Sequence, residues 1–339
     1  MVEKPYRVAV IGCGNISRRH TAALSDCPQT ELVAVCDVRE DRAKSVAEKF
    51  GIPFVTDYHD LLKDPQIDAV HICTPHYLHA PMAIDALNAG KHVFTEKPMA
   101  ITPEDCERMK AAAAASGKAL GVCFQNRYNP VNAEIHRLVR SGEVGRVLGG
   151  RGIVNWNRTP SYYTASGWRG TWATEGGGVL INQSIHTLDL LLWALGEPET
   201  VEATCGILSL RDTIEVEDTA SVHMTFPGGA SALFFASNAW IDNAPVRLEI
   251  RCEKALLSAT ETALTVYYDN GETRDFTDPT PKTEDKSYWG NYHRYIIEDF
   301  YNALREGRPF AVNGEEGERT IRTLQRIYRA AGFGPGAKK

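Results

Sequence analysis

The chain has 339 residues and a formal net charge of −6; 43% of it is hydrophobic and 24% charged, the profile of a soluble protein with room for two cores. The acidic balance argues against nucleic acid as the main partner. No apolar run approaches the ~20 residues that span a membrane, and Met1-Val2-Glu3-Lys4-Pro5 opens without an apolar leader core, so no membrane association and a cytoplasmic location are expected.

Tyr6-Arg7-Val8-Ala9-Val10-Ile11 is apolar without alternation, as in a strand buried on both faces. It runs into Gly12-Cys13-Gly14-Asn15-Ile16-Ser17 and then a helical pattern through Leu24. Strand, glycine turn and helix in that order make a dinucleotide cradle. Gly12 permits the tight turn, Gly14 lets backbone approach a pyrophosphate, and the helix headed by Asn15 and Ile16 offers unpaired N–H groups to the anion. Ser17 takes the third glycine position and is small enough for close packing. A second apolar strand, Glu31 to Cys36, ends in Asp37. A carboxylate there, about twenty residues beyond the glycines, is placed to hold an adenosine ribose and to repel a 2′-phosphate. NAD is the preferred cofactor; NADP stays possible because Arg39 and Arg42 follow.

The alternation continues. Glu40 to Phe50 reads as a helix closed by Gly51, with a short strand near Phe54-Val55 and a helical turn from Tyr58 to Lys63. Ile67 to Cys73 is a strand ending at Thr74-Pro75, and Pro81 to Ala89 a helix stopped at Gly90. Lys91 to Thr95 is a strand whose tip is Glu96-Lys97-Pro98. Thr102-Pro103-Glu104-Asp105 opens an alanine-rich helix with a cap residue, a first-turn proline and early acids. Ala119 to Phe124 is the sixth strand. Six strands alternating with helices imply a doubly wound parallel sheet over residues 1–125. Such sheets bind ligands at the carboxyl ends of their strands, so Thr74, Pro75, His79, Glu96, Lys97 and Asn126 should ring the cofactor crevice.

After Gln125 the grammar changes. A helix from about Val131 to Ser141 precedes β-like segments at Val147 to Asn155, Thr200 to Leu210, Thr219 to Phe226, Ala230 to Trp240, Val246 to Arg251 and Leu256 to Tyr268. Pro227-Gly228-Gly229 and Asp269-Asn270-Gly271 are hairpin signals. This is an α+β domain with a large, mostly antiparallel open sheet, assigned to residues 126–332 with a tail at 333–339. Two closing helices are expected, at about Tyr292 to Arg305 and Glu315 to Ala331.

One helix stands out, after Gly176-Gly177-Gly178. Read as helical from Val179, it puts Asn182, His186 and Asp189 at i, i+4 and i+7, on one face of an otherwise apolar segment. That stripe is either an internal hydrogen-bond network or a ligand-facing one. A second cluster, Arg127 and Tyr128 with Asn126, sits at the sixth strand's tip. A third comprises Trp156, Trp168 and Arg169: indole faces beside arginine suit a sugar ring, with aromatic packing as the alternative. Tyr288 to His293 would add to the same wall. The eight cysteines are scattered without close pairing, and no paired-histidine motif accompanies them, so neither disulfides nor a metal site is expected.

Together Gly12-Cys13-Gly14-Asn15-Ile16, Cys73-Thr74-Pro75 with His79, Glu96-Lys97-Pro98, Trp168-Arg169, Gly176-Gly177-Gly178 through His186, and Asp299-Phe300 to Arg308-Pro309 resemble the glucose–fructose oxidoreductase / inositol dehydrogenase / rhizopine-catabolism (Gfo/Idh/MocA) family. The resemblance implies a Rossmann domain plus an open-sheet domain that often mediates homodimers or homotetramers. It implies NAD(P)-dependent oxidation or reduction of a sugar, cyclitol or derivative, with Lys97 and His186 at the catalytic positions. Asn182 departs from the aspartate that many inositol dehydrogenase-like members carry there; an amide cannot take a proton, so an Asp–His relay of that form is unavailable. A non-catalytic NAD-binding regulator and an NAD-dependent glycosidase are the competing readings.

Overall fold

The computed structural model describes residues 4–280 and 292–335. The chain divides into two units: Met1–Gln125 with Tyr292–Glu318, and Asn126–Asn291 with Arg319–Lys339. The first unit holds strands β1 (Tyr6–Ile11), β2 (Thr30–Cys36), β3 (Phe54–Val55), β4 (Ala69–Ile72), β5 (His92–Thr95) and β6 (Leu120–Val122). All pair in parallel, in the order β3-β2-β1-β4-β5-β6. Strand order reverses between β1 and β4, which opens the ligand crevice of such sheets there. Helices α1 (Ser17–Asp26), α2 (Glu40–Phe50), α3 (Tyr58–Lys63), α4 (His79–Asn88) and α5 (Pro103–Ser116) alternate with the strands.

These elements follow from local chemistry. Val8, Val10, Val70, Ile72, Val93 and Phe94 are fully buried, because parallel strands are covered on both faces. Thr102 caps α5 by accepting the Asp105 N–H at 3.1 Å, and Gly117 ends that helix in the left-handed region.

The second unit carries α6 (Pro130–Ser141), β7 (Val147–Asn155), α7 (Pro160–Thr164), α8 (Ile185–Leu195), β8 (Thr200–Gly206), β9 (Thr219–Thr225), β10 (Ser231–Ser237), β11 (Arg247–Cys252), β12 (Ala255–Ala259), β13 (Ala263–Tyr268) and β14 (Thr273–Thr277). Its sheet runs β14-β13-β12-β11-β7-β10-β9-β8. Pairing is antiparallel except between β7 and β10. The segment Leu256 to Tyr268, read as one strand, is a hairpin of β12 and β13. The two last helices are α9 (His293–Glu306) and α10 (Gly314–Ala330). Their placement corrects the range 126–332: residues Tyr292–Glu318 return to the first unit. There the large apolar face of α9 buries Ile296, Ile297, Phe300 and Tyr301, and Phe300 packs against Phe94 of β5 in a tilted pair with ring centroids 5.2 Å apart. Tyr288 to Asn291 and residues 336–339 lie outside the described residues. Among the described residues, no helix is long and apolar enough to cross a membrane.

Candidate active site

The glycine turn is built as the strand–turn–helix pattern demands. Gly12 has φ +94°, and a side-chain carbon there would meet the Cys73 carbonyl oxygen at 2.7 Å, so only glycine lets β1 turn beside β4. Ser17 is fully buried and donates its hydroxyl to the Gly14 carbonyl at 2.7 Å. Asp37 is tied into the same turn: its Oδ2 accepts the Cys13 N–H at 2.8 Å and its Oδ1 the Arg39 N–H at 2.9 Å. It therefore orders the loop as well as facing it, and each carboxylate oxygen keeps a second lone pair for a hydroxyl. Two further observations fit a dinucleotide here: a side chain at Gly14 would point into open space, and the buried Thr74 hydroxyl has no hydrogen-bond partner among the described residues.

The strand-end loop Glu96-Lys97-Pro98 lies where the sheet grammar puts it, at the carboxyl end of β5, with a cis Lys97–Pro98 peptide. Lys97 is half-buried. His79 is fully buried, with Nδ1 2.7 Å from the Pro98 carbonyl and Nε2 2.9 Å from the Thr74 carbonyl. Placed by the sequence at the cofactor crevice, it clamps the loops after β4 and β5 to each other.

Glu96, expected at the cofactor crevice, is a buried side chain. Its carboxylate is 4% exposed; Oε1 takes His20 Nε2 at 2.9 Å and lies 3.4 Å from His293 Nε2, while Oε2 accepts the Lys97 N–H at 3.2 Å. Burial works to raise the Glu96 carboxyl, but the two histidines beside it win and hold it well below the usual carboxylate range. Behind His20 the chain continues, Nδ1 to His71 Nδ1 at 2.8 Å and His71 Nε2 to the Tyr301 hydroxyl at 2.9 Å. Burial pushes His71 well below the usual histidine range, so it is neutral.

In the second unit the glycine-led segment departs from expectation. α8 begins at Ile185, and Asn182 sits in the turns before it. The reason is a buried carboxylate. Glu217 accepts the Gly178 N–H at 3.0 Å, the Leu180 N–H at 3.0 Å and the Tyr328 hydroxyl at 3.0 Å, drawing those donors out of a helical ladder. A side-chain carbon on Gly178 would lie 1.8 Å from the Glu217 carbonyl oxygen, so glycine alone permits the approach. Burial pushes the Glu217 carboxyl up to about 7. Within the almost wholly buried run Val179–Leu192, Asn182 and His186 are the two half-exposed side chains. Asn182 donates from Nδ2 to Glu175 Oε1 at 2.6 Å, and the Glu175 Oε2 accepts the Gly170 N–H at 2.6 Å.

The remaining candidates sort by what already holds them. Asp189 does not share the Asn182 face in use: it takes Arg127 in a two-pronged pair, Nε to Oδ2 at 2.8 Å and Nη2 to Oδ1 at 2.6 Å, both side chains buried. Arg127, placed by the sequence among the substrate-binding candidates, is thus engaged with Asp189, and its guanidinium also lies 5.2 Å from the Trp193 ring. Trp156 is 8% exposed and its indole N–H reaches the Ala244 carbonyl at 3.2 Å, which matches the aromatic-packing alternative. Trp168 and Arg169 stay half-exposed, with the Arg169 guanidinium held 4.4 Å from the Tyr162 ring and 4.6 Å from the Trp168 ring. Asn126 and Tyr128 are half-buried in a short turn, where the Asn126 carbonyl accepts the Asn132 side chain at 2.8 Å. Sequence reasoning missed Glu175 and Glu217. Glu217 gave no usable signal, since it lies in the acidic run Glu215-Val216-Glu217-Asp218.

Residues 6–124 match the model of an oxidoreductase family with an NAD-binding Rossmann fold, GFO/IDH/MocA, and residues 132–258 match that of the GFO/IDH/MocA C-terminal domain. The chain is 34% identical over 254 residues to the D-glucoside 3-dehydrogenase of Escherichia coli strain K12, spanning 68% of this chain and 69% of that one. It is 30% identical over 257 residues to the scyllo-inositol 2-dehydrogenase (NAD(+)) of Bacillus subtilis strain 168, spanning 74% and 72%. Its structure is similar, with a TM-score of 0.86 and 29% identity over 98% of this chain and 96% of that one, to the WlbA dehydrogenase of Bordetella pertussis in complex with NADH and UDP-GlcNAcA.

Proposed function

The chain belongs to the GFO/IDH/MocA family of NAD-binding oxidoreductases, and we propose that it transfers hydride between a nicotinamide and a secondary alcohol carbon of a sugar, cyclitol or sugar derivative. One observation carries the reading: a glycine turn fitted for a dinucleotide and a half-buried lysine share the carboxyl edge of one parallel sheet. Bound NAD would supply the hydride acceptor. Gly12, Gly14, Asn15 and Ile16 would hold its pyrophosphate, Asp37 its ribose, and Thr74 and Pro75 the crevice wall.

Lys97 and His186 are the proposed proton-handling residues. In the oxidative direction one of them takes the hydroxyl proton as hydride departs; in the reductive direction charged Lys97 donates it. Asn182, with Glu175 behind it, is a hydrogen-bonding residue for a substrate hydroxyl. Its amide nitrogen donates to the Glu175 carboxylate at 2.6 Å, which fixes the plane of the side chain. Trp168, Arg169 and Tyr128 supply mixed apolar and polar surface. The test is NADH formation with a panel of inositols, glucosides and sugar acids. Turnover with a subset supports the reading. Tight NAD binding with no turnover on any member in either direction would sink it, and cleaved sugar without net NADH would favour the glycosidase.

NAD is the proposed cofactor over NADP. Asp37→Ala should raise the KM for NAD about 10- to 100-fold, the worth of hydrogen bonds to a charged group, and narrow the preference over NADP. Unchanged cofactor kinetics would remove Asp37 from the ribose site. The exposed Leu233 and Tyr267 on the outer side of the eight-stranded sheet support self-association as a homodimer or homotetramer; light scattering that finds a monomer would exclude it.

A further inference from the structure

We propose that His20, Glu96, Cys123 and His293 of the first unit form a buried metal site, with zinc as the ion their donor set fits. The four ligand atoms all lie within 4.8 Å of one another. They come from four elements: His20 from α1, Glu96 from the end of β5, Cys123 from the end of β6, and His293 from the start of α9. Exposures are 0% for His20, 4% for Glu96, 0% for Cys123 and 2% for His293. Two imidazoles, a carboxylate and a thiol are zinc ligands; magnesium and calcium want an all-oxygen shell.

Charge is the first argument. Glu96 is a buried carboxylate whose ion-pair partners are two histidines, His20 and His293. A buried anion is ordinarily matched by a full cation or a metal ion. The second argument is His293. It is buried against the cluster, yet among the described residues neither ring nitrogen makes a hydrogen bond of good geometry, as expected of a ring whose partner is an ion. The third is the surrounding shell. If His20 binds metal through Nε2, its Nδ1 carries the hydrogen and donates to His71 Nδ1. His71 Nε2–H then donates to the Tyr301 oxygen, and both contacts have hydrogen-bond length. Ligating histidines are oriented in this way through their second nitrogen. Tetrahedral zinc sets neighbouring ligand atoms roughly 3.3–3.6 Å apart, so the widest pair closes by about 1 Å on binding. The ion would fix Glu96 and, through its contact with the Lys97 N–H, the backbone that carries Lys97.

The rival is a metal-free cluster, in which His20 Nε2–H donates to Glu96 and the chain of donors runs inward from the Tyr301 hydroxyl. The experiment is elemental analysis of the untagged full chain, expressed with zinc and desalted, followed by cobalt substitution. The expected result is about one zinc per chain and a thiolate-to-cobalt charge-transfer band. Metal and band should be lost in Cys123→Ser and kept in Cys106→Ser, a buried cysteine outside the cluster. Folded wild type that carries less than about a tenth of an ion per chain overturns the proposal. So does metal content unchanged in both Cys123→Ser and His293→Gln. The wild-type measurement decides even where a variant fails to fold, and none of these readouts depends on turnover.

Discussion

Lys97→Met is expected to lower kcat by about 10²- to 10⁴-fold, the usual contribution of a positioned acid or base, while NAD affinity stays close to that of the wild type. The separation of the two effects follows from where the residue's support comes from. The loop around Lys97 is held by its neighbours: Glu96 accepts the Lys97 N–H, and His79 binds the Pro98 carbonyl. The dinucleotide turn is ordered independently, by Asp37 on Cys13 and by Ser17 on Gly14. Methionine keeps the length of the aliphatic stem and removes the ammonium, so the loop should persist without its proton carrier. Single-turnover kinetics with calorimetric NAD titration would check it. A variant with more than about a tenth of wild-type kcat would move the proton transfer to His186 or to water.

Much of this was legible in the chain because strand-edge chemistry is local. The glycine turn, Asp37 and the lysine loop each end a strand that an unbroken apolar run announces, and parallel strands place all their carboxyl ends on one edge. Arg127, Asp189 and Trp156 were harder. Each has the composition of a ligand-binding residue, and what settles its use is a partner far away in sequence, 62 residues for Arg127 and Asp189. The same holds for His20, Glu96, Cys123 and His293, whose spacing of dozens to hundreds of residues carries no metal signature. The start of α8 was misplaced for a related reason. The apolar pattern of Val179–Ser184 fits a helix, but the buried Glu217, from the stretch before β9, claims its N–H groups.

The amide at Asn182 gains a meaning from Glu175. A lone asparagine in place of a carboxylate removes a charge from the neighbourhood of His186. Here the fully buried Glu175 lies directly behind that amide, 2.6 Å from its Nδ2. The carboxyl group is retained one side chain deeper, where it also accepts the Gly170 N–H at 2.6 Å. Such an arrangement keeps hydrogen-bonding order while giving up a titrating group, which is consistent with the proposal that proton transfer falls to Lys97 and His186.

Asp189→Ala is the substitution with the largest expected effect on stability, about 3–5 kcal/mol, because it strands a buried guanidinium. The pair ties α8, which carries His186, to the turn at Asn126–Tyr128 through two hydrogen bonds, and Thr320 Oγ1 of α10 lies 3.4 Å from the same carboxylate. Without Asp189, the Arg127 charge keeps its desolvation cost and loses its counter-ion. Removing both charges separates that cost from the value of the pair: Arg127→Met with Asp189→Leu should recover most of the loss, since an apolar pair of similar volume replaces a buried ion pair at little net cost. Urea unfolding of the two single variants and the double would check it. A double variant as unstable as the sum of the singles would mean that the two side chains contribute independently, and would overturn the coupling argued here. Recovered stability together with an impaired kcat would instead assign the pair to aiming His186, a role that bulk stability does not register.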